Sequence, residues 1–202
     1  MKYAAVLVVL CTLASVNANA DSGNTDNPKF VGIGVTDNSG TSMGLRFTPP
    51  NEDGWITERS GLSVTLKKNA ASNNDNREIE AYLIRLNSPI SPISSYIDAL
   101  RRNTVEGYAN SKKFKISRLE ITEDPKDSRC ARVHLLLEGI QLDQATQEIQ
   151  WSEQYMLSCG LLKNKGFGFE LRYYHRYLEP NKDKQFGEEA GKVLESVIIE
   201  DN

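Results

Sequence analysis

The chain has 202 residues, with 24 basic and 27 acidic side chains and a formal net charge of −3 at pH 7. Its 39% apolar and 25% charged content excludes a disordered, collagen-like or many-spanning membrane protein. The mild acidic balance gives the chain as a whole no electrostatic reason to bind a nucleic-acid backbone or anionic lipid.

Chain order begins with an export pattern. Lys2 supplies a positive charge, residues 4–14 are apolar, and Ala18, Asn19 and Ala20 are small residues at the spacing signal peptidase reads. Ser15 and Asn17 cut the apolar run well below the roughly 20 residues a membrane span needs. Cleavage is expected between Ala20 and Asp21. Cys11 follows Leu10 rather than the small residue that a lipidated cysteine requires, and it leaves with the signal. Removing 20 residues from 202 leaves a mature chain of 182, one ordinary domain.

Residues 21–29 are polar and rich in Asn, Asp, Ser and Gly, the composition of a mobile leader. Residues 30–36 and 42–48 have strand character around a turn-forming Asp-Asn-Ser-Gly run, which predicts an extra hairpin. Pro49, Pro50, Asn51, Glu52, Asp53 and Gly54 form a turn ahead of Trp55, and residues 56–58 and 62–66 are short strands around Ser60 and Gly61. Residues 69–76 are a polar loop and 78–86 a long strand. After the Pro89 and Pro92 breaks, Ile93, Tyr96, Ile97, Leu100, Thr104, Val105 and Tyr108 fall at helical spacing.

Residues 112–123 return to strand. Their apolar parity changes between Ile116 and Leu119, which predicts a bulge. Two alternating runs follow, Ala131 to Leu137 and Ile149 to Leu157. Folding them back about residues 144–145 brings Cys130 beside Cys159, and a disulfide is expected there. Direct pairing in that register sets apolar odd positions against polar even ones, and a bulge or a loop-end position is expected to correct it. Residues 166–178 alternate most clearly: Phe167, Phe169, Leu171, Tyr173, His175 and Tyr177 on one side, Glu170, Arg172, Tyr174 and Arg176 on the other. An amphipathic helix over 183–199 closes the chain.

These elements predict an α+β fold, an α/β/α sandwich whose central, mostly antiparallel sheet is flanked by two main helices. The order of elements, with Phe47, Thr48, Pro49 and Pro50 leading to Gly54 and Trp55, the helix from Tyr96 to Tyr108 and the last helix through Leu194, Ser196 and Val197, resembles the PsbP-like family. That family takes in PsbP, the Ran-binding Mog proteins and the bacterial exported protein DcrB. The resemblance spans residues 43–199 and implies a binding or assembly domain rather than a catalyst, with residues 21–42 as an added leader and hairpin and 43–202 as the domain proper. It transfers no functional residue, because fold does not carry function across such a group.

Catalytic chemistry is thinly represented. His134 and His175 are the two imidazoles, and neither sits in a hydrolase or metalloprotease motif. His175 lies among Tyr173, Tyr174 and Tyr177, where a general base could be imagined with a Tyr and Glu170 nearby, but an aromatic strand packing under a helix is the reading preferred. Lys165, Gly166, Phe167 and Gly168 resemble a phosphate-cradling loop only superficially, because a strand follows instead of a helix. Glu52 with Asp53 and Glu123 with Asp124 lack calcium-loop spacing, and no cofactor or metal is expected. Lys112, Lys113, Lys115 and Arg118 make one local basic patch.

The expected function is that of an exported, periplasmic, non-catalytic protein that binds a protein partner or envelope complex as an accessory module. The absence of glycosylation sequons favours a bacterial periplasm. The candidate partner surface comprises Trp55, Tyr174, His175 and Arg176. Two alternatives stand beside it: an inhibitor or immunity-type protein against an exported toxin, and a small-ligand or hydrolytic protein that uses the His175 strand. No nucleic acid and no membrane span after signal removal are expected.

Overall fold

The computed structural model describes residues 30–36, 42–69, 75–86 and 90–201. The export signal with its Ala20–Asp21 junction, the leader and the hairpin turn at 37–41 lie outside the described residues. Among the described residues, ten strands and two main helices build an α+β sandwich. Seven strands form one antiparallel sheet in the order β3 (Trp55–Ser60), β4 (Ser63–Asn69), β5 (Asn76–Arg85), β9 (Phe167–Leu178), β8 (Ile149–Gly160), β7 (Cys130–Leu142) and β6 (Phe114–Glu123). Helix α1 (Ile93–Ala109) lies on one face at the β6–β7 side, and helix α2 (Phe186–Glu195) lies on the other.

The hairpin of β1 (Val31–Thr36) and β2 (Ser42–Phe47) forms, but not as an appendage. It joins β10 (Ile198–Asp201) in a separate three-stranded sheet, and Met43, Leu45 and Phe47 are buried in the core beneath α2 with Val64, Ile79 and Phe169. This corrects the expected closing helix over 183–199, which ends at Glu195. Ser196 stops it: its hydroxyl donates to the Val193 carbonyl at 2.7 Å and accepts the Thr48 N–H at 2.8 Å. The β-branched residues Val197, Ile198 and Ile199 then favour extended backbone, and β2 offers an edge for Ile198–Asp201 to pair with.

The β6 bulge lies where parity placed it, between Ile116 and Arg118. The irregularity expected between β7 and β8 is present at the loop end of the pair, where the register shifts between Glu138 and Leu142. Cys130 stands directly opposite Cys159, and the same register runs unbroken to Glu138 opposite Trp151. Both faces are covered here, so each strand buries a different parity. Val133, Leu135 and Leu137 of β7 pack under α1, whereas Leu157 and Cys159 of β8 pack in the α2 core. The disulfide between Cys130 and Cys159 closes the open end of this hairpin. On α1, Tyr96, Ile93, Ile97, Leu100 and Tyr108 reach the core, while Val105 is left exposed.

Candidate functional site

Strand β9 separates the two sides of the molecule. Its odd residues Phe169, Leu171, Tyr173, His175 and Tyr177 are buried on the α2 side. Its even residues face the α1 side, but α1 packs over β6 and β7 and leaves β9, β5, β4 and β3 to solvent. The four candidate surface residues are therefore split. Tyr174 and Arg176 belong to the open face, whereas Trp55 and His175 belong to the α2 side.

His175 is removed from the surface set because it is only 1% exposed. Its ring packs against Tyr177 and Phe186, and its Nε2 lies 2.8 Å from Asp75 Oδ1. Glu170, the carboxylate imagined beside it, points to the opposite face, as an even position on the same strand must. Trp55 is half-buried, edge-to-face with Tyr173 at 6.0 Å, and Lys68 sits over its ring. Beside it Arg77 is held by Asp183 at 2.5 Å, Glu189 at 3.2 Å and Glu52 at 3.7 Å. Tyr173 donates to Glu189, and burial, followed by that bond, pushes its phenol strongly upward. This lattice ties α2 to β5 and to the Glu52 turn. The turn and α2 enclose a shallow cleft of about 500 Å³.

His134, on β7, stacks on Tyr155 at 4.3 Å and lies 2.9 Å from Glu153. Tyr155 also donates to Glu153, and burial with that carboxylate pushes its phenol up to about 12. Both imidazoles are thus engaged by carboxylates. Among the described residues, no three His, Cys, Asp or Glu side chains converge to hold a metal ion. Asp124 of the Glu123–Asp124 pair caps its turn, accepting the Lys126 and Asp127 N–H groups and pairing with Arg132. The basic patch is partly neutralised, Lys115 by Glu138 and Arg118 by Glu120.

The open face is polar, aromatic and ordered by its own bonds. Across it run Ile56 and Glu58 of β3, Thr65 and Lys67 of β4, Glu78, Glu80 and Tyr82 of β5, Arg172, Tyr174 and Arg176 of β9, and Gln154 of β8. The four strands β3, β4, β5 and β9 at about 4.8 Å spacing make it roughly 14 Å wide, with Gln154 of β8 at its border. At its border with α1, Tyr96 donates to Ser158 at 2.7 Å, and Ser158 to Glu170 at 3.1 Å. Tyr82 also donates to Glu170, and Arg172 donates to the Tyr82 oxygen at 2.8 Å. Burial and the neighbouring carboxylates push the phenols of Tyr82 and Tyr174 strongly upward, so both remain neutral donors at physiological pH. Burial and Glu78 raise the Glu80 carboxyl against the pull of Arg172. Ile56 stands 56% exposed at the far edge. The alternation of β9 announced Tyr174 and Arg176. The contributions of β4 and β5 went unnoticed because single alternating strands do not reveal which side a distant helix leaves bare.

No family model matches the chain, and no curated protein matches it. Among solved structures, it is similar to LpqN, involved in cell envelope biogenesis of Mycobacterium tuberculosis, at 14% identity and a TM-score of 0.45, over 86% of this chain and 92% of that one. It is also similar to cyanobacterial PsbP from Synechocystis sp. PCC 6803, at 10% identity and a TM-score of 0.45, over 90% of this chain and 99% of the other.

Proposed function

We propose that the protein is an exported, non-catalytic module that binds a protein partner of the envelope through the open face of β3, β4, β5 and β9. The observation that carries this is the coverage of the sheet: the α2 side is covered by a helix and a second sheet, while on the other side no described element covers a hydrogen-bonded array of half-buried Tyr, Arg and Glu. Aromatic and arginine side chains on a rigid platform suit recognition, because they contribute contact area at little entropic cost. Export is supported by the Lys2-to-Ala20 pattern and by the disulfide, a bond that persists in oxidising compartments. Binding is favoured over hydrolysis by the burial of His175, which deprives the His175-strand alternative of an accessible base.

A photocrosslinking residue placed at Tyr174 or Ile56 in the producing cell tests this. Both positions should yield one discrete crosslinked species that is lost with Arg176→Glu. A crosslinker at Glu188, on the solvent side of α2, should yield none. Absence of a species at both face positions, or the same species from Glu188, refutes the proposal. An exported toxin as the captured species would identify the inhibitor alternative.

A further inference from the structure

At one end of the seven-stranded sheet, the part formed by β4, β5, β9 and β8 departs from the charge of the whole chain, beside a β6–β7 turn whose Asp124 and Asp127 are paired with Arg132 and Arg129. There the turn between β3 and β4, the end of β5, the start of β9 and the loop after β8 come together: the Leu83 N–H donates to the Leu62 carbonyl, Leu86 to Gly166, and Leu161 to Phe167. These four adjacent strand ends present Leu162, Leu62 and Phe167, which are 62%, 41% and 39% exposed. Interleaved with them are exposed Arg85, Lys163 and Lys165, which have no ion-pair partner among the described residues. The Asp201 carboxylate beside the loop turns inward: 5% exposed at its side chain, it accepts the Leu162 and Lys163 N–H groups and lies 4.0 Å from Arg129. The backbone of the loop is therefore pinned while its side chains project.

We propose that this end is a docking surface for an anionic phospholipid bilayer, with Leu162, Phe167 and Leu62 entering the interface and Arg85, Lys163 and Lys165 meeting the headgroups. Large apolar side chains on loop tips are costly in water, and a polar rim of single sign beside them matches the layered chemistry of a charged membrane surface. The overall charge of −3 does not oppose this, because the effect of distant charges is screened beyond about 8 Å at physiological ionic strength. The lysine–glycine–phenylalanine run thus serves as an amphipathic tip instead of a phosphate cradle. Docked this way, the strands stand away from the lipid and the open face looks sideways. The inference does not depend on what binds that face.

The test uses the full chain with Leu162→Trp and vesicles whose acyl chains carry bromine, which quenches tryptophan that reaches them. Vesicles of phosphatidylcholine with about one-third phosphatidylglycerol should quench L162W beyond the background of Trp55 and Trp151 in the unsubstituted protein. Phosphatidylcholine alone should give no such excess. Adding Lys163→Glu and Lys165→Glu should weaken vesicle partitioning by about tenfold or more, on the expected contribution of each surface cation. The matched reversal Lys112→Glu with Lys113→Glu, at the opposite end of the sheet, should leave it unchanged. Quenching no greater than background, equal quenching with neutral vesicles, or indifference to the Lys163 and Lys165 reversals would overturn the proposal. Thermal unfolding of each variant, unchanged because these side chains are exposed, secures the comparison.

Discussion

Reducing the Cys130–Cys159 bond should cost the protein a large part of its stability, and the amount follows from the chain length it closes. The two residues are 29 apart, and both are buried at the open end of the β7–β8 hairpin. On the loop-entropy relation, a closed loop of about 30 residues restricts the unfolded chain by roughly 3.6 kcal/mol. Urea unfolding with and without a thiol reductant measures it. With a slope of about 2 kcal/mol/M, the midpoint should fall by roughly 1.8 M. The slope itself should rise, because an unlinked unfolded chain exposes more surface. Replacing both cysteines by alanine should cost somewhat more than reduction, since it also empties the sulfur volume from a packed site. A loss below about 1 kcal/mol with both thiols demonstrably free would refute the reasoning. It would mean that the unfolded ensemble already holds this hairpin closed, so that the bond constrains nothing.

Phe186→Ala should destabilise by about 3–5 kcal/mol, read from urea or thermal unfolding, because the fully buried ring is the edge-to-face partner of both Tyr155 and Tyr173 and its loss leaves a cavity between α2 and the sheet. Glu153→Gln should flatten the acid limb of stability. Burial pushes the Glu153 carboxyl up, but hydrogen bonds from His134 and Tyr155 outweigh it and hold the group below its ordinary range. A depressed folded pKa stabilises above the unfolded value and is lost as pH falls through the folded one, so the variant's midpoint should decline less than the wild type's from about pH 5 to pH 3. Identical slopes would show that Glu153 takes no part.

Much of the fold was legible because alternation and turn chemistry are local. The β6 bulge was written in the shift from Ile116 to Leu119, and the two-sided character of β9 in its strict alternation. The end of α2 was not. Phe186, Ala190, Val193, Leu194, Val197 and Ile198 continue one apolar stripe, and the change to strand at Ile198 depends on a β2 edge that is distant in sequence. Helical periodicity cannot register an acceptor strand about 150 residues away, and Ser196 reads as an ordinary helix residue until Thr48 arrives to donate to it.

The β7–β8 register shows why the candidate surface was only half visible. Sequence parity assumes that one face of a strand is buried and the other wet, and on that assumption Cys130 opposite Cys159 called for a bulge or a loop-end irregularity, whereas the register holds from Cys130 to Glu138 and shifts only beyond it. The sheet instead has two covered faces at β7 and β8 but only one at β3, β4 and β5, so the rule changes along the sheet. Where both faces are covered, adjacent strands can bury opposite parities with no irregularity. Where one is bare, polar residues of neighbouring strands gather into a continuous surface. His175 was misplaced for the same reason. Its position beside Tyr174 and Arg176 in sequence suggested a shared role, but successive strand residues point to opposite faces, and here one face is core while the other is platform. Function on such a scaffold is decided by which strand ends and faces the helices fail to cover, a property of α1's placement more than of any residue it leaves exposed.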